Sequence, residues 1–188
     1  KNENEILPIK NSVKSIAVIG PLADDKDSPL GNWRAQAEAN SAVSVLEGIK
    51  THAAKNVQIN YAEGVKLSTG ERSFLKPLSL NNTDKSGFEQ AINLAKSSDL
   101  VVLVVGEDAY QTGEGRSQTD IGFLGLQDEL MTEIKKVNPN VVMVLMNGRP
   151  MDLTWSNENF PAILETWLLG SQHGNAVAEV LFGKYNPS

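Results

Sequence analysis

Leu100-Val101-Val102-Leu103-Val104-Val105 is an unbroken run of six apolar residues, four of them valine, followed at once by Gly106-Glu107-Asp108. A run this short, β-branched and closed by glycine suits a strand better than a helix. A strand apolar at every position has both faces covered, the habit of parallel sheets flanked by helices. Further runs of the same character lie at Ser15–Ile19, Val57–Tyr61, Val141–Met146 and Ala162–Trp167. Between them the apolar spacing becomes helical: Ala42, Leu46, Ile49 and Ala53 share one face, as do Phe88, Ala91, Ile92 and Ala95, then Leu126, Leu130, Ile134 and Val137, and last Val177, Val180 and Leu181. Strand and helix therefore alternate. The pattern predicts an α/β three-layer sandwich, a mostly parallel sheet with helices on both faces, as one domain over residues 1–188.

Composition excludes several function classes. The 188 residues carry 17 Lys and Arg against 23 Asp and Glu, a net charge of −6, so no nucleic-acid partner is expected. Cysteine is absent, which removes disulfides, thiolate catalysis and Cys-based zinc sites. No apolar run approaches the roughly 20 residues of a membrane span, and no membrane partner is expected. The polar start Lys1–Glu5 and the finish Asn186-Pro187-Ser188 read as ends cut from something longer. His52 and His173 have no partner at ligand spacing, so no metal is expected. Gly20-Pro21 opens no G-x-G-x-x-G and no Walker motif occurs, so no cofactor is expected and a nucleotide-binding reading rests on fold analogy alone. Asp24, Asp25 and Asp27 lack the glycine and distal glutamate of a calcium loop and read as solvated turn residues.

Ligands of such sheets gather beyond the carboxyl ends of the strands. The stretches there are long: Gly20–Trp33, Glu63–Lys85, Gly106–Gly125 and Asn147–Asn159. Glu63–Lys85, rich in Ser, Thr, Asn and Pro, reads as a mobile surface excursion. Gly106–Gly125 holds the chemistry, with Glu107 and Glu114 seven apart, Gly113, Gly115 and then Arg116. A plain reading stays available, in which acidic residues and glycine merely favour a loop and Arg116 pairs with Asp120.

The order of short motifs resembles the second, α/β sandwich domain of family 3 glycoside hydrolases, the β-glucosidase and β-xylosidase group. Lys1-Asn2-Glu3-Asn4-Glu5-Ile6-Leu7-Pro8-Ile9 is similar to the start of that domain, and Ile16-Ala17-Val18-Ile19-Gly20-Pro21-Leu22-Ala23-Asp24 to its first strand. Leu30-Gly31-Asn32-Trp33 resembles the loop that follows, while Val104-Val105-Gly106-Glu107 and Glu114-Gly115-Arg116-Ser117 resemble the loop holding the family's acid/base, with Gln127 opening the next helix. Asn147-Gly148-Arg149-Pro150 and the closing stretch Glu179–Ser188 complete the set. Phe123-Leu124-Gly125 departs from the family's usual Leu-Pro-Gly, and His173-Gly174 is unusual where small residues are common.

The resemblance implies a retaining exo-β-glycosidase acting on a β-glucoside or related oligosaccharide, in which a preceding (β/α)8 barrel, absent from this chain, holds the nucleophilic aspartate. This domain then supplies the other half of the site. Glu114 falls at the acid/base position and Trp33 at an aromatic that stacks on the aglycone sugar in some members. Glu107 is the competing acid/base. It directly follows a buried strand, whereas Glu114 lies further out and can reach across a domain interface, so Glu107 is assigned, with Arg116, to holding the loop. A periplasmic or secreted location is favoured by the same resemblance. An isolated domain of this kind can also serve as a carbohydrate-binding or structural module, since Trp33, Tyr110 and Trp155 offer flat apolar faces.

Overall fold

The computed structural model describes residues 1–187. Five strands, β1 (Ser15–Ile19), β2 (Gln58–Ala62), β3 (Leu100–Gly106), β4 (Val141–Met146) and β5 (Ala162–Glu165), form one sheet in the order β2-β1-β3-β4-β5. Every strand pair is parallel. The amino-terminal residues lie along the outer edge of β5, where Asn2 makes an antiparallel bridge to Ala162 and the Ile163 N–H donates to the Lys1 carbonyl, so that edge is covered. The helices are α1 (Val45–His52), α2 (Phe88–Lys96), α3 (Gln127–Val137), α4 (Thr154–Asn159) and α5 (His173–Leu181), with a 3-10 turn at Ser28–Leu30.

Strand side chains alternate between two separate cores, as the period of two requires. Val101, Leu103 and Val105 of β3 join Val141, Met143 and Leu145 of β4 beneath α2 and α3. Leu100, Val102 and Val104 join Ile16 and Val18 of β1 on the opposite face, beneath α1 and α5. Two cores on one sheet explain why the apolar runs are continuous. They also fix the three-layer sandwich, and Met143 and Met146 are fully buried members of it.

The chain moves outward from β1 to β2, then returns past β1 to β3. The crevice between the carboxyl ends of β1 and β3 is therefore the topological switch point. Gly106, at the end of β3, has φ +131°, and a Cβ there would lie 1.9 Å from the Met146 carbonyl oxygen. Only glycine lets the chain turn off the sheet so close to its neighbour.

Helix α1 starts at a capping box. The Ser44 hydroxyl accepts the Glu47 N–H at 3.1 Å, and the Glu47 carboxylate accepts the Ser44 N–H at 3.1 Å. The same hydroxyl donates to Asp24 at 2.7 Å, tying α1 to the loop after β1. Ser44→Ala is expected to cost about 1 kcal/mol, a drop of roughly 2–4 °C in Tm for a domain of this size, read by thermal unfolding.

Candidate active site

The four carboxyl-edge loops meet over β1, β3 and β4. The loop after β3 is irregular to Gly125, as the sequence leads one to expect, but it is not exposed along its length. Glu107, Asp108, Ala109, Gln111 and Thr112 are buried, and exposure begins at Gly113. The loop has a fixed base and a free tip, and Glu114 is on the tip. Glu114 makes no hydrogen bond or ion pair among the described residues. Trp33, in the loop after β1, is 74% exposed.

Glu107 is fully buried. Its Oε1 accepts from Arg149 Nε at 2.9 Å and lies 2.6 Å from Arg149 Nη2, while Oε2 has no partner among the described residues. Burial raises this carboxyl above the ordinary glutamate range, with the Arg149 guanidinium pulling the other way. The pair clamps the loop after β3 to the loop after β4.

Arg116 does not pair with Asp120. Its guanidinium donates to the carbonyls of Ser73 at 2.7 Å and Lys76 at 2.9 Å, because the 63–85 stretch folds back beneath the loop and offers fixed acceptors. Asp120 instead accepts the Gly122 N–H at 2.8 Å. The 63–85 stretch is likewise no free excursion. Phe74 stacks on Tyr110 with ring centroids 4.2 Å apart, and Arg72 donates to Asp25 at 2.7 Å. Tyr110 therefore offers no free ring for stacking, since Phe74 stacks on it and the Arg72 guanidinium lies over it at 5.1 Å from the ring centroid. Its hydroxyl donates to Asp27 at 2.7 Å and accepts from Arg34 at 2.9 Å. Trp155, on α4, meets Phe160 edge to face with centroids 5.4 Å apart.

The aspartates after β1 are also not solvated as a group. Asp27 is buried between Arg34 and Tyr110. Burial works against its charge, but the bonds from Arg34, Tyr110 and the Asn40 N–H prevail and bring its carboxyl down to about 2. Asp25 pairs with Arg72, and only Asp24 is exposed. The sequence hid these contacts because a partner of each comes from a distant segment: the Arg72 counterion of Asp25 from the stretch after β2, and the Tyr110 hydroxyl that donates to Asp27 from the loop after β3. The switch-point crevice, a cavity of about 390 Å³, is lined by carboxylates of Asp24, Asp25, Glu63 and Asp108 beside Lys26, Lys66 and Arg72. Four carboxylates make it a poor cradle for phosphate.

Two buried groups here titrate in opposite senses. Burial holds His173 down to about 4, against the pull of Asp25. Its Nδ1 accepts the Leu169 N–H at 3.2 Å, and Nε2 has no partner among the described residues. Burial pushes Asp108 up to about 6, with Arg72, 3.8 Å away, pulling it down. Between about pH 6.5 and 4 the unfolded chain takes up the His173 proton first, so stability falls with pH through that window. Between about pH 6 and 3.8 the folded chain takes up the Asp108 proton first, so stability rises as pH falls. The two slopes offset each other. His173→Gln is expected to gain stability relative to the parent as pH falls from 6.5 to 4, and Asp108→Asn to lose it, in urea unfolding across that range. Parallel curves for all three proteins would contradict this assignment.

The model for the glycosyl hydrolase family 3 C-terminal domain matches residues 1–188. The chain is 40% identical over 196 residues to a periplasmic beta-glucosidase of Salmonella typhimurium, and 40% identical over 192 residues to a beta-xylosidase of Formosa agariphila. Each alignment takes in 100% of this chain and 25% of the relative, so the chain spans about a quarter of the length of these proteins. Among solved structures, a beta-glucosidase from Listeria innocua superposes with a TM-score of 0.83 at 26% identity, covering 100% of this chain and 23% of that one. With the fold, the motif order and a match along its whole length in agreement, the chain belongs to the C-terminal domain family of family 3 glycosyl hydrolases.

Proposed function

We propose that this domain serves a retaining exo-β-glycosidase of β-glucosidase or β-xylosidase type, supplying the general acid/base Glu114 and the aglycone platform Trp33 to an active site completed by a (β/α)8 barrel elsewhere in the protein. The observation that carries the proposal is that Glu114 is an exposed carboxylate, unpaired among the described residues, on the tip of a loop whose base is buried and clamped. A carboxylate placed so suits service to a neighbouring domain better than service to its own core. Trp33, exposed on the adjoining loop, gives a sugar ring an apolar face to lie on. Glu107 is the weaker candidate, because its carboxylate is buried and engaged by Arg149.

In this reading the barrel's carboxylate attacks the anomeric carbon while Glu114 donates its proton to the departing glycosidic oxygen. The resulting ionised Glu114 then takes a proton from water as that water attacks the glycosyl-enzyme. Retention requires the two carboxyls to stand roughly 5–5.5 Å apart, so Glu114 must reach over the sugar on the barrel. The name of the Salmonella relative supports a periplasmic or secreted location.

The 188-residue chain alone is expected not to hydrolyse aryl β-glucosides, because no glycosyl-enzyme forms without the second carboxylate. Turnover by purified material that disappears in a Glu114→Gln control would defeat the half-site account. The exposed Trp33 favours one other reading, a carbohydrate-binding module. Saturable quenching of tryptophan fluorescence by glucosides would support that module, whereas half an active site leaves the emission unchanged.

A further inference from the structure

Trp33 is flanked by two residues that are both fastened to the loop of Glu114. On one side the Asn32 amide donates to the Thr112 carbonyl at 3.0 Å; on the other, Arg34 donates to the Tyr110 hydroxyl at 2.9 Å. The packing around Thr112 and Gly113 is close. Gly113 has φ +100°, and a Cβ there would lie 1.2 Å from the Asn32 amide nitrogen, so that amide fills the space a side chain would take. On the far side, a Cβ on Gly148 would lie 2.4 Å from the Thr112 hydroxyl. The Thr112–Gly113 peptide is thus held between the loops after β1 and β4. It is the last anchored point before Glu114, whose own side chain has no partner among the described residues.

We infer that Asn32 is a positioning residue that sets the location of Glu114 and couples it to Trp33, so that the acid/base and the aglycone platform move as one preassembled unit of this domain. The inference rests on the acid/base reading of Glu114. Without the Asn32 amide, the Gly113 backbone gains freedom and the carboxyl wanders. A misplacement of about 1 Å can cost on the order of 10²-fold in a step that needs alignment, and the step at risk here is proton transfer to the leaving oxygen. A substrate whose leaving group needs no proton is spared in that step.

The test uses the full-length enzyme, with a disaccharide and a dinitrophenyl β-glycoside as substrates, and a cycle of Asn32→Ala, Glu114→Ala and the double variant. Asn32→Ala is expected to lower kcat/KM for the disaccharide by roughly 10- to 100-fold while leaving the dinitrophenyl glycoside within about twofold. Asn32→Asp keeps the size but sets an acceptor against the Thr112 carbonyl, and should lose at least as much as alanine. In the Glu114→Ala background, Asn32→Ala should cost nothing further, because its effect passes through the missing carboxyl. Thermal unfolding of each variant separates misplacement from misfolding. If Glu114→Ala itself costs less than about tenfold, the acid/base reading falls and this inference falls with it. If Glu114→Ala costs its full factor, but Asn32→Ala slows both substrates alike or multiplies the loss in the double variant, only the Asn32 inference is overturned.

Discussion

On the proposed acid/base role, Glu114→Ala in the full-length protein is expected to lower kcat/KM for disaccharides by on the order of 10²–10⁴, the usual worth of a positioned general acid. The loss should track the leaving group. A sugar alkoxide departs only with a proton, so disaccharides bear the whole penalty. A dinitrophenolate departs unaided, so dinitrophenyl glycosides should still form the covalent intermediate, then stall because no base activates water. Azide attacks without base help and should relieve that stall, giving the β-glycosyl azide if configuration is retained. Glu107→Ala should show neither the leaving-group dependence nor the rescue, only a general loss from an unclamped loop. Azide rescue of Glu107→Ala in place of Glu114→Ala would exchange the two roles. That outcome would be hard to reconcile with a Glu107 carboxylate buried against Arg149.

The sheet was legible because its signal is local. Each apolar residue of Leu100–Val105 faces one of two cores, so a short, valine-rich run closed by glycine fits a strand covered on both sides. The ends of strands were less legible. β5 stops at Glu165, short of Trp167: the Thr166 N–H and hydroxyl still donate to the Leu145 carbonyl at 2.9 and 2.7 Å, but Trp167 takes φ +50° and turns the chain off the sheet. Helix α4 gave no apolar period, since Ser156 is its one fully buried residue. The polar site was hidden for a different reason. A carboxylate reads as solvated until its counterion is known, and those of Asp25 and Glu107 come from other loops. No spacing rule connects Glu107 to Arg149 across 42 residues. Glu114 and Trp33, by contrast, are assigned by motif resemblance alone, and the structure adds that both are exposed, Trp33 on the loop after β1 and Glu114 on the loop after β3.

The Glu107–Arg149 pair should dominate the domain's stability more than any other polar contact at the carboxyl edge, and its two halves should not be equivalent. Glu107 is fully buried, whereas the Arg149 side chain keeps partial access to solvent. Arg149→Met leaves a carboxylate in the interior with no countercharge, and breaking a buried pair in this way costs about 3–5 kcal/mol, a large part of the 5–15 kcal/mol that holds a typical domain folded. Glu107→Gln leaves a guanidinium that can turn toward water, so its cost should be clearly smaller. The pH dependence gives a second signature. Burial already raises the Glu107 carboxyl, and losing Arg149 removes the main opposing pull, so the folded Arg149→Met protein should hold a proton that the unfolded chain releases. A folded pKa above the unfolded one means stability rises as pH falls. The deficit of Arg149→Met against the parent, measured by urea unfolding, should therefore be largest near pH 7 and narrow toward pH 5. The double variant Glu107→Leu with Arg149→Met, which buries neither charge, should recover much of the loss. A deficit that stays flat across this range, or a double variant no better than Arg149→Met, would mean that Glu107 is not the buried charge the clamp depends on.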